Sequence, residues 1–215
     1  TTSRSRSKSR SSTNNHKIIQ MDTNNQNLKT IYLGGGCFWC VEAVFQNIKG
    51  VISVESGYAG GEKLNPTYAE VSNGNTGYVE VIKLTYDESI ISTENILTVF
   101  FASHDPTTFD RQGNDVGSQY KSVIFYESEE EKNISEKIIS EIENDKDIPE
   151  GIKKSDFENI HVETKVLPVK NYFKAENYHQ NYYNDNKETN GYCRIIINPK
   201  LEKIQKRFAD LLKTN

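Results

Sequence analysis

Residues 30–50 read TIYLGGGCFWCVEAVFQNIKG, and the periodicity of the chain changes partway through them. Thr30–Leu33 is a short apolar run of strand length. Three glycines follow, after which Phe38, Val41, Val44, Phe45 and Ile48 recur at the three-and-four spacing of a helix until Gly50 stops it. Strand, glycine turn and helix therefore follow one another within twenty-odd residues, and the first cysteine, Cys37, falls where the turn becomes the helix.

Downstream, Val51–Tyr58 reads as a second strand, and Gly60, Gly61, Asn65 and Pro66 mark a long irregular loop. Tyr78–Tyr86 is a third strand whose Val79, Val81, Ile82 and Leu84 suit a half-buried surface. A helix is expected from about Thr93, a candidate N-cap, to about Ser103, where His104-Asp105-Pro106 ends it. Tyr120–Tyr126 makes the fourth strand. The order βαββαβ predicts an α+β protein, a two-layer α/β sandwich with a ferredoxin-like core and a mixed, largely antiparallel sheet. Ser128–Glu143 follows as a polar helix with Ile134, Ile138, Ile139 and Ile142 on one side, and Ile160–Leu167 as an additional strand. The rest is a long irregular C-terminal segment. Its aromatics (Tyr172, Phe173, Tyr178, Tyr182, Tyr183 and Tyr192) are too many for a solvated tail, so it is expected to wrap back over the core.

Upstream, residues 1–29 are rich in Ser, Arg, Asn and Thr and nearly free of large apolar side chains, so they cannot bury enough surface to offset the entropy of ordering. They are expected to form a disordered leader, followed by one catalytic domain over 30–215. The leader's acid-free start, with Arg4, Arg6, Lys8, Arg10 and Lys17, leaves the remainder more acidic than the whole-chain charge of -4. An acidic body argues against a nucleic-acid-binding face, and no apolar run reaches the roughly 20 residues that a bilayer requires. Three cysteines do not make a secretory disulfide framework. The expectation is a cytoplasmic protein with reactive thiols, the Arg/Ser-rich leader leaving organelle import open.

The chemistry centres on Cys37. At a helix start the unpaired N–H groups and the positive end of the dipole face its sulfur and favour the thiolate, and Gly34, Gly35 and Gly36 allow the backbone to approach a bound group closely. A lone cysteine is more often a small buried hydrophobe, and it is this position that argues for a nucleophile. Cys40, one helical turn on, is close enough for a disulfide if the turn relaxes. Zinc is the competing reading of C-x-x-C, but Cys193, His16, His104, His161 and His179 supply no second ligand pair of suitable spacing. A general dithiol-disulfide oxidoreductase also places C-x-x-C at a helix start, though rarely around two bulky aromatics such as Phe38 and Trp39.

The segment GGGCFWCVEAVFQ resembles the nucleophile motif of the peptide methionine sulfoxide reductases of the A type. SGYAGGEKLNPTYAEVSNGNTGYVEV, HDPTTFDRQGNDVGSQYKSVIFY, AENYHQNYY and GYCRIIINPKLEK resemble the family's other segments, together spanning roughly residues 30 to 208. The resemblance implies that Cys37 attacks the sulfoxide sulfur and becomes a sulfenic acid. It implies that Glu80 supplies the proton to the departing oxygen, which requires a carboxyl pKa raised by burial. Tyr68 and Tyr120 match the tyrosines that donate hydrogen bonds to that oxygen. Phe38 and Trp39 match the apolar wall for the substrate methyl, and Asp115, His179, Tyr182 and Tyr192 match positions that orient substrate or line the pocket.

Cys40 and Cys193 are both candidates to resolve the sulfenic acid, and Cys40 is expected first because its proximity is local. The implied substrates are methionine sulfoxide, free and in proteins, with preference for the S epimer. The implied reductant is thioredoxin or a similar dithiol. No metal, nucleotide or flavin cofactor is required, and a monomer is expected. One departure stands out: where the family commonly has histidine, as in GHAE, this chain reads GYVE. Tyr78 is therefore expected to alter the surroundings of the acid while leaving Glu80 in place.

Overall fold

The computed structural model describes residue 1 and residues 27–213, and in it the chain enters the sheet at β1, Leu28–Gly34. The expected leader therefore lies outside the described residues except for residue 1 and residues 27–29. Leu28 and Lys29 are already in the ladder, opposite Asp87 and Tyr86, so the strand starts two residues before Thr30.

The glycine turn leads into α1, Phe38–Gln46, and then β2, Val51–Ala59, and β3, Val79–Asp87. Between β2 and β3 lies α2, Tyr68–Ser72, a five-residue helix that the reading of this region as irregular loop had missed. Its signal is in the sequence: Glu70 accepts from the Thr67 N–H at 3.0 Å, one half of a T-x-x-E capping box. The helix α3, Thr93–Ser103, is capped by Ser92, which accepts from the Asn95 N–H at 3.2 Å. Thr93, the expected cap, is instead buried with its hydroxyl 2.8 Å from that of Tyr86.

A two-residue hairpin, β4 (Arg111–Gln112) and β5 (Asp115–Val116), precedes β6, Val123–Tyr126. Strand β6 is shorter than the expected Tyr120–Tyr126 because Ser118–Tyr120 coils into a 3-10 turn. The polar helix α4, Glu129–Asn144, carries a capping box of Ser128 and Glu131 and buries Ile138 and Ile142. The strand expected over Ile160–Leu167 is confined to β7, Lys165–Pro168. Before it, the Val162 and Glu163 N–H groups donate to the Glu143 carboxylate and the Pro106 carbonyl instead of to a neighbouring strand.

After β8, Tyr172–Lys174, the chain crosses back as α5, Tyr182–Asn186, a π-helical turn, Cys193–Ile197, and α6, Asn198–Arg207. The last two are regular where irregular chain was expected, whereas the wrapping back is as read. Among the described residues the main sheet has the order β7-β6-β1-β3-β2-β8. Its central four, β6-β1-β3-β2, are all antiparallel, as in a ferredoxin-like core, and β7 alone pairs parallel, with β6.

Side-chain alternation along β3 decides what faces the helices. Ile82, Leu84 and Tyr86 join the large core with Phe38, Val41, Phe45 and Phe100, and Glu80 shares their parity. Val79 and Val81 point the other way, into a smaller core with Tyr32, Ala59, Val123 and Phe125 under Val169 and Tyr172. The first half of β3 is therefore buried on both faces, not half-buried as its alternation suggested. The consequence is that Glu80 is carried into the protein's interior, beside the start of α1.

Candidate active site

Cys37 occupies the N-cap position of α1 and is partly exposed, and its side chain caps no backbone N–H. The first-turn amide goes elsewhere: the Phe38 N–H donates to Glu80 Oε2 at 3.1 Å. This one bond ties the strand to the helix and places the carboxyl next to the sulfur. Glu80 is 1 % exposed, and burial pushes its pKa up to about 8 against the pull of that hydrogen bond, with Asp115 and Cys40 adding to the rise.

The same enclosure works against the pull of the helix start on Cys37. Burial, the neighbouring Cys40 and the Glu80 carboxyl hold the Cys37 thiol well above the usual range. Cys40 moves the other way, lowered first by its interaction with Cys37 and helped by Lys200 and Tyr192 against its own burial. The two sulfurs titrate as a pair. Burial disfavours charge on Cys37, and the Phe38 N–H at the helix start is taken by Glu80.

The two tyrosines arrive from different elements. Strand pairing sets Tyr58 opposite Glu80, and the Tyr58 hydroxyl donates to Glu176 Oε2 at 2.8 Å. The other oxygen of Glu176 accepts from the Tyr68 N–H at 2.9 Å, which fixes the start of α2. Tyr120 comes from the 3-10 turn. Burial, then the charges of Glu80 and its neighbours, raises both phenols, Tyr68 to about 12, so both are neutral donors. Glu176 and Tyr58 were not singled out in the sequence, although both lie in the quoted segments.

Trp39 and Phe38 divide the apolar role. Phe38 is 1 % exposed and packs behind the site against Tyr58 and His179, whereas Trp39 is partly exposed. The Trp39 indole stacks on Tyr182 with centroids 3.6 Å apart and planes 5° from parallel, and it stands edge-on to Tyr192. Its Nε1–H donates to His179 Nδ1 at 3.2 Å. That bond assigns the His179 proton to Nε2, which is buried beside the Tyr68 ring, 3.9 Å from Glu176 Oε2 and with no hydrogen-bond partner among the described residues.

Cys37 opens on a pocket of about 200 Å³ lined also by Cys40, Asp115, Tyr192, Ile196 and Lys200. The Tyr192 hydroxyl donates to Asp115 at 3.1 Å and lies 3.7 Å from the Cys40 sulfur. Cys193, next in sequence, is fully buried in the π-helical turn and does not line this pocket; burial and the charge of Cys40 raise its thiol. Lys200 was not singled out either, although it lies in the quoted GYCRIIINPKLEK segment, and it is the turn before it that brings α6 to the thiols. Tyr78 donates to the Lys63 carbonyl and packs against Gly61, and it is not among the groups that set the Glu80 proton affinity.

The arrangement holds a thiol, a protonated carboxyl, two neutral phenols and a second thiol one turn away. It can deliver a nucleophile and a proton to opposite ends of one polar bond. The sequence model described as Peptide methionine sulfoxide reductase matches residues 29–212. Among curated relatives, "Peptide methionine sulfoxide reductase MsrA" of Trichodesmium erythraeum is 50% identical over 183 residues, 85% of this chain and 97% of the relative. The protein of the same description from Saccharolobus solfataricus is 48% identical over 181 residues, 84% and 95% of the two chains. Among solved structures, methionine sulfoxide reductase A of Corynebacterium diphtheriae superposes with a TM-score of 0.63 at 30% identity, covering 75% of this chain and 76% of that one.

Proposed function

The chain belongs to the peptide methionine sulfoxide reductase family, and we propose that it reduces the S epimer of methionine sulfoxide, free and in proteins, with Cys37 as nucleophile and Glu80 as acid. It is a thiol-dependent oxidoreductase acting on methionine sulfoxide. The observation that carries the residue roles is the Glu80 carboxyl, anchored on the Phe38 N–H and able to hold a proton near neutral pH, beside the Cys37 thiol.

In the first step Cys37 Sγ attacks the sulfoxide sulfur while Glu80 gives its proton to the oxygen, and the thiol proton refills Glu80. The oxygen passes to Cys37 as a sulfenic acid and the electron pair stays on the methionine sulfur, so cysteine is oxidised by two electrons and the sulfoxide reduced by two. Tyr68 and Tyr120 donate to the oxygen as its charge develops. Trp39 faces the substrate methyl, Phe38 backs it, and Asp115, His179, Tyr182 and Tyr192 frame the hollow.

In the second step Cys40 attacks the Cys37 sulfenic sulfur, a disulfide forms and water leaves. Support for this order comes from the Cys40 thiol, lowered first by its interaction with Cys37, and from its position next to Cys37, with its charge acting on buried Cys193. Cys193 then attacks Cys40, releases Cys37 and leaves a Cys40–Cys193 bond for thioredoxin or a similar dithiol. The proposal includes a monomer acting in the cytoplasm.

The test is turnover of methionine S-sulfoxide with dithiothreitol as reductant. Wild type converts it, Cys37→Ser does not, and the R epimer is left untouched. A dithiol-disulfide exchanger would reduce a model disulfide in the same assay and leave both sulfoxides intact.

A further inference from the structure

Glu42 is a buried carboxylate that the chemistry above does not use. It lies on α1, two residues after Cys40, and is 1 % exposed. A buried charge without partners is costly, and its partners here are two consecutive backbone amides from far along the chain. Oε1 accepts from the Asn181 N–H at 2.9 Å and Oε2 from the Tyr182 N–H at 3.2 Å. Those amides open α5, a helix too short to hold itself in place, and Asn181 enters it in the left-handed region at φ 54°.

Further ties from α1 to this turn come from the same face of the helix. One turn after Glu42, Gln46 Nε2 donates to Asn181 Oδ1 at 3.2 Å, and Gln46 Oε1 accepts from Asn184 Nδ2 at 3.1 Å. Held in this way, Tyr182 lays its ring flat on Trp39, while its hydroxyl accepts from Asn190 Nδ2 at 2.9 Å. Glu42 is not among the groups acting on the Glu80 proton, so its influence on the site runs through Tyr182.

We propose that Glu42 is a positioning residue for substrate binding: by gripping the Asn181 and Tyr182 amides it holds Tyr182 in the stack that orients Trp39 beside Cys37. The kinetic part rests on the reductase reading, but the spectroscopic part does not, because Trp39 is the single tryptophan of the chain and reports its own stacking.

The experiment uses the full-length protein and the variants Glu42→Gln, Tyr182→Leu and their combination. Glutamine keeps the shape but replaces one acceptor oxygen by an NH2 group, leaving one amide unmatched. In Glu42→Gln the near-UV circular dichroism of Trp39 is expected to fall by about half and KM for methionine sulfoxide to rise about tenfold, with kcat within about twofold of wild type. Added to Tyr182→Leu, the same substitution is expected to change KM by less than about twofold, since the group it acts through is gone. A folded Glu42→Gln protein with unchanged Trp39 dichroism and unchanged KM overturns the proposal, as do additive effects in the double variant. If Glu42→Gln does not fold, Gln46→Ala severs the solvent-side half of the same tie, and about a threefold rise in KM with a weakened Trp39 signal is expected; no change in either refutes it. A wild-type protein that turns over no sulfoxide sinks the reductase reading instead, and the Trp39 comparison still decides the positioning role.

Discussion

A carboxyl with a pKa near 8 can give up a proton at neutral pH and cannot do so in alkali, and Glu80 has such a value because burial outweighs the single Phe38 N–H bond to it. As pH rises through about 8 the acid is lost, so kcat/KM with dithiothreitol should fall about tenfold per unit above that point. Glu80→Gln should cost about 10² to 10⁴ in rate at pH 7 and abolish the alkaline fall; a variant that keeps the wild-type pH profile would show that another group supplies the proton. The recycling order is also a matter of single residues. One turnover without reductant, followed by peptide mapping, should give a Cys37–Cys40 disulfide in Cys193→Ser and a trappable Cys37 sulfenic acid in Cys40→Ser, whereas a Cys37–Cys193 bond appearing first in wild type would reverse the sequence. The identities of these side chains were legible because they sit in long matched segments. Their proton affinities were not, because burial raises both the Glu80 carboxyl and the Cys37 thiol, and only the fold creates that burial.

Elements differ in how much of the site they carry. The turn from β1 to α1 needs Gly36 at φ 92°, and a Cβ on Gly35 would lie 3.1 Å from Phe100 and His104. Gly36→Ala is expected to lose about 1–2 kcal/mol of stability. It should also lower activity out of proportion, because the same turn aims Cys37 and the Phe38 N–H. Ser128→Ala, at the cap of the remote α4, should cost about 1 kcal/mol with kcat/KM unchanged; urea titration and steady-state kinetics on both variants separate the two. The strands and helices of the βαββαβ core were legible from periodicity where they are long enough to show it, whereas the four-residue β6 was read too long at its start. The short α2, the β4–β5 hairpin and the turn holding Tyr120 were not, because two to five residues carry no period. The crossing of residues 182–207 was foreseen only as aromatic content, and what seats it, Glu42 and Gln46 gripping Asn181, is a long-range bond with no local signature.

At the scale of the whole molecule, the burial that creates the acid also works against the fold. Glu80 has a raised pKa in the native state, so its contribution to stability is fully present below the unfolded value of about 4.5 and is lost as pH rises toward about 8. Glu42 and Glu131, raised by burial, act in the same direction. His104 acts oppositely: 4 % exposed, bonded to the Phe100 carbonyl and to Ser122 at 2.8 and 2.7 Å, it is lowered by burial from 6.5 to about 3. Unfolded chains bind its proton first, so stability falls as pH drops below about 6.5, and Asp156, held down by Arg207, adds to the acid loss. Each buried group contributes a slope of about 1.4 kcal/mol per pH unit within its window. Between about 4.5 and 6.5 the slopes of Glu80 and His104 oppose each other; above that range the raised carboxyls are opposed by Cys40, whose lowered thiol adds stability as pH rises from about 6 toward 9, and below it His104, His179 and the paired acids act together. Urea midpoints should therefore show a plateau in mildly acidic solution, and between pH 6.5 and 8 Glu80 contributes a decline of about 2 kcal/mol, read as the difference between wild type and Glu80→Gln because Cys40 opposes it. In Glu80→Gln that decline should shrink while the acid side stays as in wild type, so the protein that loses its catalytic proton gains stability at neutral and alkaline pH. A Glu80→Gln protein whose stability keeps the wild-type pH dependence from 6 to 8 would mean that Glu80 is ionised in the folded protein, and the same titration would then remove it as the acid of the reaction.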